Sequence, residues 1–198
     1  MKDADCEGDR AGQIVAAAEA ILIEMRSVAI TLQDIADRMA VSRSLIYVYF
    51  DGVPAILDAI FRAQLDRLER GLPLDDLDGA EFEAAAIRAH LAYLDYLVAA
   101  GPVLHLILRE RNQDSPLGAQ SRQRFIRLAR RLANAVRRAY DLEGREALVL
   151  IELSAAIPES LARLVRTAEI DASTARDTCA RLVTASLQSF APRGGASG

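Results

Sequence analysis

Apolar residues recur at intervals of three and four along almost the whole chain, the spacing that lines one face of an α-helix. No stretch alternates apolar and polar residues between turn signals, so no strand is expected and the fold class reads as all-α. A first helix is predicted from about Ala11 to Met25, with Ile14, Ala17, Ala18, Ile21 and Leu22 on one face. Thr31 and Asp34 have capping-box spacing and open a short helix ending near Met39. Ser42 is a second N-cap and opens another short helix, ending near Phe50. Asp51-Gly52 is a turn, and Pro54 suits the first turn of a helix that carries Ile56, Ile60, Phe61, Leu65 and Leu68 and stops at Gly71. After the acidic loop LPLDDLDG, helices are expected at about 80–99, 102–112, 117–140, 144–168 and 172–190. Gly101-Pro102, Asp114-Ser115-Pro116 and two Asp-led turns separate them. Residues 1–9 and 193–198 read as frayed tails.

Two short capped helices with only Ala40-Val41 between them are the most specific feature. Within TLQDIADRMAVSRSLIYVYF (residues 31–50), Ile35, Ala36, Val41, Ile46 and Phe50 can share a small core between helices crossing steeply. That arrangement suits a helix-turn-helix. At about 100° per residue, Ile46 and Phe50 of the second helix face inward, Ser44, Leu45 and Val48 point outward, and Tyr47 sits on the flank. Ser42 presents free main-chain amides, which suit a phosphate or a base edge. By pattern alone, an ordinary helical hairpin fits these residues as well.

Over about residues 11–61 the sequence resembles the tetracycline-repressor (TetR) family of bacterial transcriptional regulators. The likeness is carried by the alanine-rich first helix, the threonine-capped IADRM helix, the VSRSLIYVYF segment and the AILDAIF that follows. The rest of the chain matches only in length and helical character. The resemblance implies an all-α homodimer with a three-helix DNA-binding domain (10–53) and a C-terminal helical bundle (54–192) that binds an effector and dimerises. Thr31 and Ser42 match capping positions that contact phosphate. Arg43, Ser44 and Leu45 match positions at or near the bases, and Tyr47 matches a backbone-contacting tyrosine. Tyr49 stands where histidine is frequent, and Phe50 matches a buried phenylalanine. With Gln33 and Val48 these residues, Phe50 apart, form the expected DNA-facing set. Val48 and Val53 depart from the pattern, standing where polar or basic residues are usual. Leu45 and Val48 suit thymine methyls, which leaves Arg43 as the main donor to guanine. Each lost phosphate contact lowers affinity and flattens the salt dependence by about one unit of slope, so weaker operator binding is expected.

The later helices carry polar groups among apolar ones. His90, Tyr93 and Leu94 share one helix; Leu104, His105, Leu108 and Arg109 follow Gly101-Pro102; Phe125 lies on the next. An apolar pocket with a few convergent polar groups is the default ligand site, and the resemblance implies an effector here. The last two helices are apolar over more than one face, through Leu148, Ile151, Leu153, Leu161 and Leu164 and then Leu182, Val183, Leu187 and Phe190. That suits a homodimer joined through these helices, or equally the interior of a monomer.

Composition narrows the classes. The 198 residues are 52% apolar and 26% charged, an ordinary globular balance. The longest apolar run, 97–108, is too short for a membrane span of ~20 residues, so no membrane is expected. Cys6 and Cys179 are far apart, which excludes a disulfide framework or a CxxC zinc site and suits a reducing cytoplasm. Ser/His/Asp sets, metal-spaced clusters and glycine-rich phosphate loops are not visible, so no cofactor or metal is expected. An enzyme with His90 or His105 as base is correspondingly disfavoured. The net charge of −4 at first opposes nucleic acid. It lies wholly in residues 1–70 (8 basic, 12 acidic), mostly in the nine-residue tail, while residues 26–50 are +1. Lys2 is the only lysine; arginines crowd positions 122–138 and read as a solvated face. The expected function is a ligand-responsive repressor that binds a palindromic double-stranded operator as a homodimer and is released by a small molecule. The alternative is a regulator-fold protein with weak or lost operator binding, acting as activator or co-regulator.

Overall fold

The computed structural model describes residues 3–79, 81–109 and 117–190, with the main chain alone at 3–9, 78 and 109. Among these residues there are nine α-helices, a 3₁₀ turn at Asp76–Asp78 and no strand. The helices are α1 (Asp3–Met25), α2 (Leu32–Met39), α3 (Arg43–Tyr49), α4 (Val53–Gly71), α5 (Phe82–Ala100), α6 (Val103–Arg109), α7 (Ala119–Tyr140), α8 (Gly144–Arg166) and α9 (Ala172–Gln188).

The first helix begins eight residues before the expected Ala11. The polar composition of 1–9 predicts a tail, but the acids Asp3, Asp5, Glu7 and Asp9 at a helix N-terminus are favoured by its dipole and no proline interrupts the segment. Residues 193–198 and the expected end of the 102–112 helix lie outside the described residues. Several helix ends lack the usual glycine. Arg26, Ala40, Asp141 and Ala168 follow α1, α2, α7 and α8 in the left-handed region, with φ of 51°, 54°, 51° and 57°. Ala168 explains why α8 stops at Arg166, short of the expected 168.

The helices gather into two compact units. One takes its residues from 1–66 and 102–125, the other from 67–101 and 126–198. Packing thus divides the chain within α4 and within α7, along a different line from 10–53 and 54–192. In the first unit α1 packs on α2 and α6, and α2 packs on α3. Ile14, Ala18, Leu22, Ile35, Ala36, Ile46, Ile56, Ile60, Phe61 and Leu65 are buried there. Phe61 meets Phe125 edge to face at 6.2 Å. The fully buried Gln64 of α4 donates to Glu19 of α1. Asp58 accepts a hydrogen bond of 2.8 Å from the Gly118 amide.

In the second unit α5 packs against both α8 and α9, which also pack on each other. Leu94, Leu97, Val136, Ala147, Leu150, Leu161, Ala175, Cys179, Val183 and Leu187 build its core. Burial pushes the Cys179 thiol up to about 11, so it sits there as a protonated small hydrophobe. No single helix among the described residues is long and apolar enough to cross a membrane.

Candidate nucleic-acid interface

The segment 31–50 is held by its caps. Thr31 Oγ1 accepts from the Asp34 amide at 3.2 Å, and the Thr31 amide donates to Asp34 Oδ2 at 2.7 Å, a reciprocal capping box. The Thr31 hydroxyl also donates to Asp34 at 2.8 Å. These bonds hold the Asp34 carboxyl below its ordinary value. At the other end of α2, the Ala40 amide donates to Asp37 O at 3.2 Å and the Val41 amide to Ala36 O at 3.0 Å. This is a Schellman turn in which an alanine takes the left-handed position that glycine usually occupies. It reverses the chain in two residues, and Ser42 then caps α3 through the Leu45 amide at 3.3 Å. Arg38 bridges back to α1 with two bonds of 2.7 Å to Glu24.

This turn fixes which side of α3 faces out. Ile46 is fully buried, with Ile35 and Ala36 of α2. Arg43 and Ser44 are exposed, Tyr47 is 59% exposed and Val48 73%. Two expectations need correction. Leu45, placed outward, is half-buried, and Tyr47 belongs to the outward arc rather than the flank. In a seven-residue helix pressed against α2, more than half of the circumference is covered. Phe50 and Val41 are also half-buried rather than enclosed, and so is Tyr49. Arg43 makes no ion pair or hydrogen bond with the described residues. Gln33 instead donates to Asp37 on its own helix at 2.6 Å. The outward face of α3 therefore offers one guanidinium, a serine and a tyrosine hydroxyl, and one aliphatic side chain.

The eight expected effector-site residues fall into both units. In the second, Tyr93 of α5 donates to Glu159 of α8 at 3.0 Å and stacks on Tyr96 with ring centres 6.3 Å apart. Burial and the neighbouring Glu159 carboxylate raise the Tyr93 hydroxyl well above its ordinary value. His90 Nδ1 lies 2.7 Å from Ala86 O, so Nδ1 carries the proton, and burial keeps the ring neutral. Leu94 is part of the core. In the first unit Leu104 is buried, and His105, Leu108 and Phe125 are half-buried; the Arg109 side chain lies outside the described residues.

None of the eight lines either of two clefts found in the second unit. One, of about 450 Å³, lies between the start of α5 and the end of α7, with Phe82, Glu83, Arg138 and Tyr140 among its walls. Phe82 and Tyr140 meet edge to face at 5.6 Å. Sequence reading missed it because its walls are over fifty residues apart. The other, of about 430 Å³, is an open groove along α7 lined by Arg127, Arg130, Arg131, Asn134 and Arg138.

The last two helices have both an inward and an outward apolar set. Leu150, Leu161, Val183 and Leu187 are buried. Leu148, Val149 and Leu153 of α8 are 55%, 54% and 65% exposed, and Leu182 of α9 joins them on the surface.

Solved structures share this architecture. A TetR-like transcriptional regulator from Rhodococcus sp. RHA1 superposes with a TM-score of 0.65 at 17% identity, over 90% of this chain and 93% of that one. A TetR variant from Acinetobacter baumannii AYE, in complex with minocycline, gives 0.59 at 18% identity, over 90% and 94%. A TetR-family regulator from Thermus thermophilus gives 0.59 at 18%, over 93% and 96%. The chain thus has the all-α fold of the TetR-family regulators. No family profile matches the sequence, and no curated protein does.

Proposed function

We propose that a chain with this fold and this helix-turn-helix is a DNA-binding transcriptional regulator: a homodimeric repressor that a small-molecule effector releases from a palindromic operator. The observation that carries the reading is the α2–α3 turn. Caps at Thr31 and Ser42 and the Schellman turn at Ala40 hold α3 with Arg43, Ser44, Tyr47 and Val48 facing solvent. Arg43 is unengaged by the described residues, and Arg is the side chain best shaped to donate twice to guanine.

The outward apolar set of Leu148, Val149, Leu153 and Leu182 supports dimerisation through α8 and α9, since a monomer gains nothing by exposing it. A two-fold dimer would offer two α3 helices to half-sites about 34–36 Å apart, one turn of duplex. The effector rests on the likeness to the minocycline-bound neighbour. The polar groups that could meet one in the second unit are the half-buried His90 and Tyr93, the latter already bonded to Glu159. A coupling of about 1–3 kcal/mol suffices for 5–150-fold release.

The test is a footprint on the DNA upstream of the protein's own coding region, followed by the same footprint with small molecules that co-purify with the protein. A protected palindrome that an extract of those molecules clears is the expected result. No protection at any protein concentration would overturn the DNA reading. Val48 favours one second reading, a regulator with weak operator grip acting as activator or co-regulator. A promoter fusion that rises, rather than falls, when the protein is expressed would select it.

A further inference from the structure

We infer that Val48 reads the C5-methyl group of a thymine in the major groove, so that one base pair in each half-site is specified by a methyl contact rather than by hydrogen bonds. This rests on the DNA-binding reading above and names the chemistry that the same surface recognises. With seven residues, α3 is only about 10 Å long and can place few side chains in a groove. Its outward arc runs from Arg43 through Tyr47 and Ser44 to Val48, about 140° of the helix at ~100° per residue. Leu45, the other aliphatic side chain of α3 with solvent exposure, is half-buried and offers far less apolar surface than Val48.

Val48 is the most exposed large apolar side chain among the described residues. It has no donor or acceptor, so it cannot answer the hydrogen-bonding pattern of any base pair. The one apolar feature that distinguishes base pairs in the major groove is the thymine methyl. A β-branched side chain on a helix keeps one χ1 rotamer, so its two γ-methyls are already fixed and ordering them on DNA costs little. Asp51, exposed just past the extended Phe50 that ends α3, makes that end of the helix unsuited to a phosphate and leaves a base edge as the fitting neighbour. Burial of one methyl-sized group is worth about 0.8 kcal/mol, a factor of about four in affinity.

The experiment begins by selecting duplexes from a random library with the full-length protein. In the enriched duplex, thymines are then replaced one at a time by deoxyuridine, which removes only the methyl. One position in each half-site is expected to weaken binding about fourfold. Placing 5-methylcytosine at a C·G pair there should restore part of the loss. In Val48→Ala the same uridine substitution should cost almost nothing, and the near-isosteric Val48→Thr controls for folding by circular dichroism. An enriched duplex that tolerates uridine everywhere, or uridine sensitivity that persists in Val48→Ala, overturns the inference alone. Failure to enrich any duplex overturns the DNA-binding reading and the inference together.

Discussion

Leu153 gives the sharpest test of the proposed dimer, because it is expected to matter for association and hardly at all for folding. It is 65% exposed on α8. Leu→Ala removes about three methyl or methylene groups, worth ~0.8 kcal/mol each when fully buried. Scaled by the exposed share, the loss is about 1.5 kcal/mol per copy, or about 3 kcal/mol for the two copies that a two-fold axis brings together. The dimer should then dissociate roughly a hundredfold more readily. Sedimentation equilibrium over a range of concentrations measures this, and thermal melting of the protomer should move little. Leu150, one turn before on the same helix, is only 3% exposed and is the contrast. Leu150→Ala should cost about 2–5 kcal/mol of folding stability. If Leu153→Ala leaves the dimer constant unchanged, α8 does not form the interface, and the exposed leucines need another occupant.

Other residues give shorter tests. Ala40→Gly should stabilise the protein by about 0.5–1 kcal/mol, since relief of a left-handed alanine outweighs the added freedom of glycine in the unfolded chain; an unchanged or lower melting midpoint in urea would contradict the Schellman geometry. Thr31→Ala should cost about 1 kcal/mol through loss of the α2 cap, and Thr31→Ser should recover most of it in the same assay. His90 is held neutral, its folded value below the ordinary 6.5, so the unfolded chain takes up a proton first. Stability is therefore full above about pH 6.5 and is lost as pH falls toward the lowered folded value. Melting temperatures measured between about pH 7 and pH 5.5 should fall less steeply in His90→Gln than in the parent, and identical slopes would refute the assignment.

Local chemistry explains what could be read before the fold was known. Thr31 and Asp34 announce their helix because a capping box is a short-range device, complete within four residues. The left-handed ends at Ala40 and Ala168 carry no such signal, because only glycine or asparagine usually marks that conformation. The acids before Ala11 are ambiguous in principle: the same residues suit a solvated tail and a helix N-terminus. Leu45 shows the limit of the helical wheel, which gives the angle between residues but not how much of the circumference a neighbour covers. The cleft between Phe82 and Tyr140 needs two elements brought together by the fold of the second unit, and neither segment alone hints at it.

The charge of the reading head leads to one more measurable quantity. Residues 26–50 hold three basic side chains, Arg26, Arg38 and Arg43. Arg38 is already committed to Glu24 through two hydrogen bonds. Arg26 and Arg43 make no ion pair with the described residues, so each half-site has at most two cations to set against phosphates, and one where Arg43 donates to guanine. For a dimer that is at most four, and a duplex releases counterions with a slope of about −0.9 per neutralised phosphate. The logarithm of the binding constant should therefore fall against the logarithm of salt with a slope no steeper than about −4. Fluorescence anisotropy across a salt series measures it directly. Arg43→Gln should flatten the slope by about two units in the dimer if the guanidinium meets phosphate, and should leave it unchanged while relaxing base preference if it meets guanine. A slope twice as steep would mean that arginines outside the helix-turn-helix grip the duplex, and that the modest local charge is not what limits affinity.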